Sequence, residues 1–92
     1  MASPPSDAEV LESIAANVRR IRERRGVTQE RLAETAAMDL RQLSRIETAR
    51  AGNFGVCFLV RLADALDVRV SALLRPAELP PPKRGRPSRG GG

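Results

Sequence analysis

Leu11, Ile14, Val18 and Ile21 recur three or four residues apart, with Arg19, Arg20, Glu23 and Arg24 on the solvent side of the same stretch. That period predicts one apolar stripe on an α-helix with a solvated back. The helix starts near Ala8, where Ser6 or Asp7 can cap it, and Gly26 ends it in the left-handed region. Its arginine-rich last turn suits the negative end of the helix dipole. Thr28 caps a second helix with Leu32, Ala33 and Ala36 inward, where small side chains let a neighbour approach closely. Asp39 caps a third, with Leu43 and Ile46 inward and Leu40, Arg41, Gln42 and Arg45 outward. A fourth runs from about Val56 to Leu66 with Leu59, Leu62, Ala63 and Leu66 inward, and a short fifth near Val70 to Leu74 closes the core.

These periods define an all-α domain over residues 7–75, preceded by a Pro/Ser-rich segment, residues 1–6, expected to be disordered. Pro76 and the run Pro80 to Pro82 stop helical structure and favour a semi-rigid polyproline linker over 76–82. Residues 83–92 cannot bury a core, so a disordered tail is expected. Within the domain, Val18 to Leu43 sets two short amphipathic helices across a tight turn. That is the helix-turn-helix arrangement that reads duplex DNA.

Composition narrows the picture. A chain of 92 residues holds one small domain, and with only Phe54 and Phe58 as aromatics its core is aliphatic. A dimer would support so small a core. Residues 1–78 carry twelve arginines against eleven acids, whereas Lys83, Arg84, Arg86 and Arg89 follow with no acid, so most of the +5 net charge sits in the tail. Cys57 is the single cysteine, which excludes an intrachain disulfide and a Cys/His zinc cluster; it reads as a small buried apolar residue. The N-terminus has no basic and apolar signal pattern, and no apolar run approaches the roughly 20 residues of a membrane span. A cytoplasmic, nucleoid-associated protein without a membrane partner is expected. No histidine, phosphate-cradling glycine loop or nucleophile–base set is present, so no enzyme, cofactor, metal or small-molecule ligand is expected.

From Ile14 to Leu74 the chain resembles the XRE family of helix-turn-helix regulators, which includes the phage Cro and repressor proteins. The resemblance rests on Arg22 followed by Gly26, Thr28-Gln29, Leu32-Ala33, the run Leu43-Ser44-Arg45-Ile46-Glu47, and Leu62-Ala63 through Leu66-Asp67-Val68 to Leu73. It implies a five-helix, lambda-repressor-like domain that binds double-stranded DNA as a homodimer, helix three in the major groove and helix two across the backbone. By position, Leu40, Arg41, Gln42 and Arg45 become the base-facing set. Arg41 and Arg45 suit guanine O6/N7, and Leu40 suits a thymine methyl. Which arginine reads a base is left open. The resemblance also assigns Gln29 to a phosphate, with Thr28 as a cap that touches phosphate or as a cap only, and pairs Arg22 with Glu47 as a structural ion pair.

Two positions depart from the family pattern. Ala49 stands where a glycine is frequent, which predicts that helix three runs on through Thr48 towards Gly52. Thr48 and Arg50 are then phosphate contacts on the DNA-proximal rim, with a solvated loop charge as the other reading of Arg50. Leu40 stands where glutamine is frequent, so specificity does not transfer from relatives.

Pro82-Lys83-Arg84-Gly85-Arg86-Pro87 resembles an AT-hook, a motif for the minor groove of A·T-rich DNA. Gly85 keeps the backbone close to the groove floor, Arg84 and Arg86 run along it, a guanine amino group would block it, and Pro87 sets the exit. Arg89 adds charge; a generic cationic tail is the plainer reading. The eight steps from Arg75 to Lys83 span at most about 26–29 Å, enough to reach a neighbouring minor groove. The function expected is a sequence-specific transcriptional regulator, a repressor by resemblance, with a regulatory protein partner left open. The alternatives are an antitoxin-like or adaptor protein acting through a protein partner, and an architectural DNA binder led by the tail.

Overall fold

A computed structural model describes residues 3–81, which form five helices and no strand: α1 (Asp7–Arg24), α2 (Gln29–Thr35), α3 (Leu40–Glu47), α4 (Val56–Leu66) and α5 (Val70–Leu73). α1 opens on a capping box, in which the Ser6 hydroxyl accepts from the Glu9 amide and the Glu9 carboxylate accepts from the Ser6 amide. The core joins Ile14 and Val18 of α1 to Leu32 and Ala33 of α2, with Ala36 just past its end, Leu43 and Ile46 of α3, Leu59, Leu62, Ala63 and Leu66 of α4, and Leu73 of α5. α1 lies against α3, α4 and α5, while α2 lies against α3 and α4.

Several expectations need correction. Leu11 is half-buried, and Val10 packs on the core in its place because Val10, Ile14 and Val18 share one i, i+4 row. Asp39 occupies the N-cap position of α3 with no side-chain cap bond. Cys57 is exposed, since its neighbours at Leu59 and Leu62 turn the inner face of α4 away from it. Helix three does not run on: it ends at Glu47, with Thr48 as C-cap and Ala49 in the left-handed region at φ 60°. The Arg50 amide then donates to Arg45 O at 2.8 Å and the Ala49 amide to Ile46 O at 3.1 Å, satisfying carbonyls that a continued helix would have used. α2 ends the same way, with Ala37 at φ 55°, and α1 ends on Gly26 at φ 68°.

The Pro-rich segment does not leave the domain at Pro76. Asn17, 1% exposed, donates to Leu73 O at 3.0 Å and Arg75 O at 2.8 Å. Further on, the Ser13 hydroxyl donates to Ala77 O and accepts from the Ala77 amide, and the Leu79 amide donates to the Glu12 carboxylate at 3.0 Å. The chain is thus pinned along α1 as far as Leu79.

Candidate nucleic-acid interface

The interface is built on the junction of α2 and α3. Thr28 stands at the N-cap of α2, where its hydroxyl oxygen accepts from the Arg31 amide at 3.1 Å. As the oxygen is the acceptor, the O–H hydrogen remains available to an outside acceptor. Gln29, the first residue of α2, is half-buried and donates Nε2 to Glu47 Oε1 at 2.9 Å. Glu47 itself is 0% exposed.

Two donors of Arg22 close on the same carboxylate, Nε to Oε2 at 2.6 Å and Nη2 to Oε1 at 3.0 Å. This is the bidentate fork that a guanidinium offers and an ammonium cannot. Arg22 Nη1 donates to Val27 O at 2.8 Å, tying the α1–α2 turn into the network. The hydrogen bond to Glu47 raises the Arg22 guanidinium above its ordinary value, against a desolvation that pulls it down. With Glu47 enclosed, the only acid within α3 is withdrawn from solvent and neutralised.

The remaining side chains of α3 divide as its period dictates. Leu43 and Ile46 are buried; Leu40, Arg41, Arg45 and Thr48 are exposed; Gln42 and Ser44 are half-buried. Leu40, 41% exposed, leaves an apolar surface at the N-terminal end of this face. At the other end the Thr48 hydroxyl donates back to Ser44 O at 2.9 Å, so its hydrogen is already committed. Arg50 is exposed beyond the helix, and its carbonyl accepts from Arg45 Nη2 at 3.2 Å. Arg45 is thereby held toward the loop while Arg41 has no such bond among the described residues.

Sequence reasoning missed three groups. Gln29, expected to face a phosphate, also reaches Glu47; the polar residues Glu12, Ser13 and Asn17 bind the C-terminal segment; and Arg61 donates to Ala37 O at 3.3 Å, joining α4 to the turn before α3. A buried asparagine within an apolar stripe is the signal that could have found the second group, because such an amide must be satisfied. Lys83, Arg84, Gly85, Arg86, Pro87 and Arg89 lie outside the described residues. Among the described residues no group of three His, Cys, Asp or Glu side chains could hold a metal ion, and no helix is long and apolar enough to cross a membrane.

Two short helices, α2 and α3, joined by the Gln29–Glu47 hydrogen bond and seated on α1 by the buried Arg22–Glu47 pair, the second with a basic outer face, define a helix-turn-helix domain. The chain belongs to the helix-turn-helix domain family, whose model matches residues 13–77. Among solved structures it is similar to a hypothetical transcription factor from Neisseria, at 30% identity, with 83% of this chain and 86% of that one covered and a TM-score of 0.70. It is also similar to the restriction-modification controller protein C.AhdI from Aeromonas hydrophila, at 27% identity, 68% and 94% coverage and a TM-score of 0.65. SinR, a master regulator for biofilm formation solved in complex with DNA, matches at 33% identity, 66% and 97% coverage and a TM-score of 0.63. No curated protein shows significant similarity to the chain.

Proposed function

We propose that the chain is a sequence-specific transcriptional regulator that binds duplex DNA as a homodimer, with α3 in the major groove and the basic tail in an A·T-rich minor groove. The observation that carries this reading is the outer face of α3, where Arg41 and Arg45 are exposed and the helix's one acid is buried against Arg22. A face with that charge and shape suits a groove lined by phosphates and guanine acceptors. Leu40, Arg41, Gln42 and Arg45 face the bases, with Gln42 partly covered by its neighbours. Thr28 offers its free hydroxyl hydrogen, and Gln29 its second amide hydrogen, to a phosphate at the N-terminus of α2. Arg50 gives a charged phosphate contact, and Thr48 joins it when its hydroxyl turns from Ser44 O.

A second copy has an apolar surface to meet: Val56 is 67%, Val60 50% and Leu74 43% exposed, whereas Leu73 is wholly core. Binding by such a dimer selects two-fold symmetric half-sites about one helical turn apart. The test is selection of bound sites from random duplex DNA, at fixed salt, by the full chain and by its R84A/R86A variant. Symmetric half-sites in both sets, with A·T-rich flanks in the full-chain set only, support the proposal. A full chain that merely prefers A·T-rich DNA, without symmetric half-sites, overturns the major-groove reading.

A further inference from the structure

Three polar side chains of α1, two of them buried, have no part in the interface described above, yet they are committed to one task. Glu12, Ser13 and Asn17 bind only main-chain groups of the segment Leu73 to Leu79: two carbonyls to the Asn17 amide, both the carbonyl and the amide of Ala77 to the Ser13 hydroxyl, and the Leu79 amide to the Glu12 carboxylate. Asn17 is also held from behind, because its Oδ1 accepts from Arg20 Nη2 at 3.1 Å. A helix face that reads backbone alone fixes where a segment lies without requiring a particular sequence in it. What the segment carries onward is the basic tail.

We infer that Glu12 and Ser13 are positioning residues for DNA binding: they set the origin of the tail at Leu79 and so set how far from the half-site its minor-groove contact falls. This rests on the minor-groove reading of the tail. From Leu79 only four steps lead to Lys83, a reach of at most about 13–14 Å. When Glu12 and Ser13 no longer hold the segment, Asn17 still holds Arg75, and the origin recedes to eight steps, at most about 26–29 Å. The difference corresponds to about four base pairs at ~3.4 Å each. With the latch closed, the minor-groove contact falls within a narrow window of flank; with it open, the window is wider and the effective concentration lower.

The experiment uses the full chain, its E12A/S13A variant, and a chain with Gly-Ser-Gly-Ser inserted between Pro80 and Pro81, which lengthens the tether without touching α1. Amide hydrogen exchange of the free proteins is measured at Ala77 and Leu79, and bound sites are selected from random duplex DNA. The expected result is protected Ala77 and Leu79 amides in the natural chain, exchanging about fivefold to tenfold faster in E12A/S13A. The A·T tract should lie at one spacing from the half-site in the natural chain and be spread outward by about four base pairs in both variants. Unprotected amides in the natural chain overturn the latch. Protected amides with an A·T tract that stays in place in both variants overturn its role in spacing. Sites without any A·T tract in the natural chain overturn the minor-groove reading and this inference with it, a result distinct from a tract that is present and unmoved.

Discussion

Gln29, the first residue of α2, donates its side-chain amide to Glu47, the last residue of α3, at 2.9 Å. A half-buried residue at the start of α2 is therefore bonded to the carboxylate that anchors α3 to α1. Replacing it disturbs the seat of α3 and, on the proposed reading, a phosphate contact as well. Q29A is expected to bind every operator roughly fivefold to tenfold more weakly, with its preferred sequence unchanged. A shift in sequence preference, measured by competition with altered sites, would contradict that role.

The Arg22–Glu47 pair is expected to show the asymmetry of buried charges. E47A strands the guanidinium and should cost about 3–5 kcal/mol in urea unfolding, whereas R22M/E47M removes both charges and should cost clearly less. R22K falls between, because a single ammonium cannot form the fork seen at 2.6 and 3.0 Å. The pH dependence has a definite sign. Glu47 raises Arg22, so the arginine's share of stability is fully present below the unfolded guanidinium's value and is lost only as pH climbs through the folded one. Unfolding midpoints of R22M/E47M and the natural chain should therefore keep a constant Arg22-linked difference across neutral pH.

Ala49 carries a left-handed backbone at φ 60° with a Cβ that opposes it. A49G keeps the turn and removes the opposition. Stability should rise by about 1 kcal/mol, which for a domain of this size raises Tm by about 4–8 °C. A calorimetric Tm that falls would mean the helix end is set by something other than the left-handed turn.

Arg41 and Arg45 should separate from Arg50 by what their loss does to specificity. R41A and R45A are each expected to cost about 1–3 kcal/mol of discrimination at one base pair per half-site. R50A should instead weaken all sequences alike and lower the salt slope of log K by about 0.9 per protomer. If R50A changes the selected sequence, the loop and not the helix is reading bases.

How far the sequence reveals this molecule depends on which force decides each part. α4 is legible to the residue, from Val56 to Leu66 with all four inward positions, because one apolar stripe determines it. The end of α3 is not, because alanine's helix propensity favours continuation while the amide–carbonyl bonds from Ala49 and Arg50 back into the helix reward stopping. Cys57 and Leu11 mislead for a related reason: an apolar side chain near a stripe does not say on which edge of it the core lies. The Glu12–Ser13 bonds leave no trace in periodicity at all, since their partners are main-chain groups more than sixty residues away. At the interface, the outward set on α3 follows from the helix period, but the bond from Gln29 to Glu47 requires knowing how α2 meets α3.

The two left-handed alanines stand just before and just after α3, and between them they decide how much text the protein can read. An eight-residue helix is about 12 Å long, and one turn between Arg41 and Arg45 advances about 6 Å, less than two base-pair steps of ~3.4 Å. If α3 reads bases as proposed, each half-site then has a vocabulary of about three letters, and neither end of the helix can slide to add another. On the proposed reading, most of the address must come from grammar: the symmetry of two such words, the gap between them, and the margin of A·T beside them.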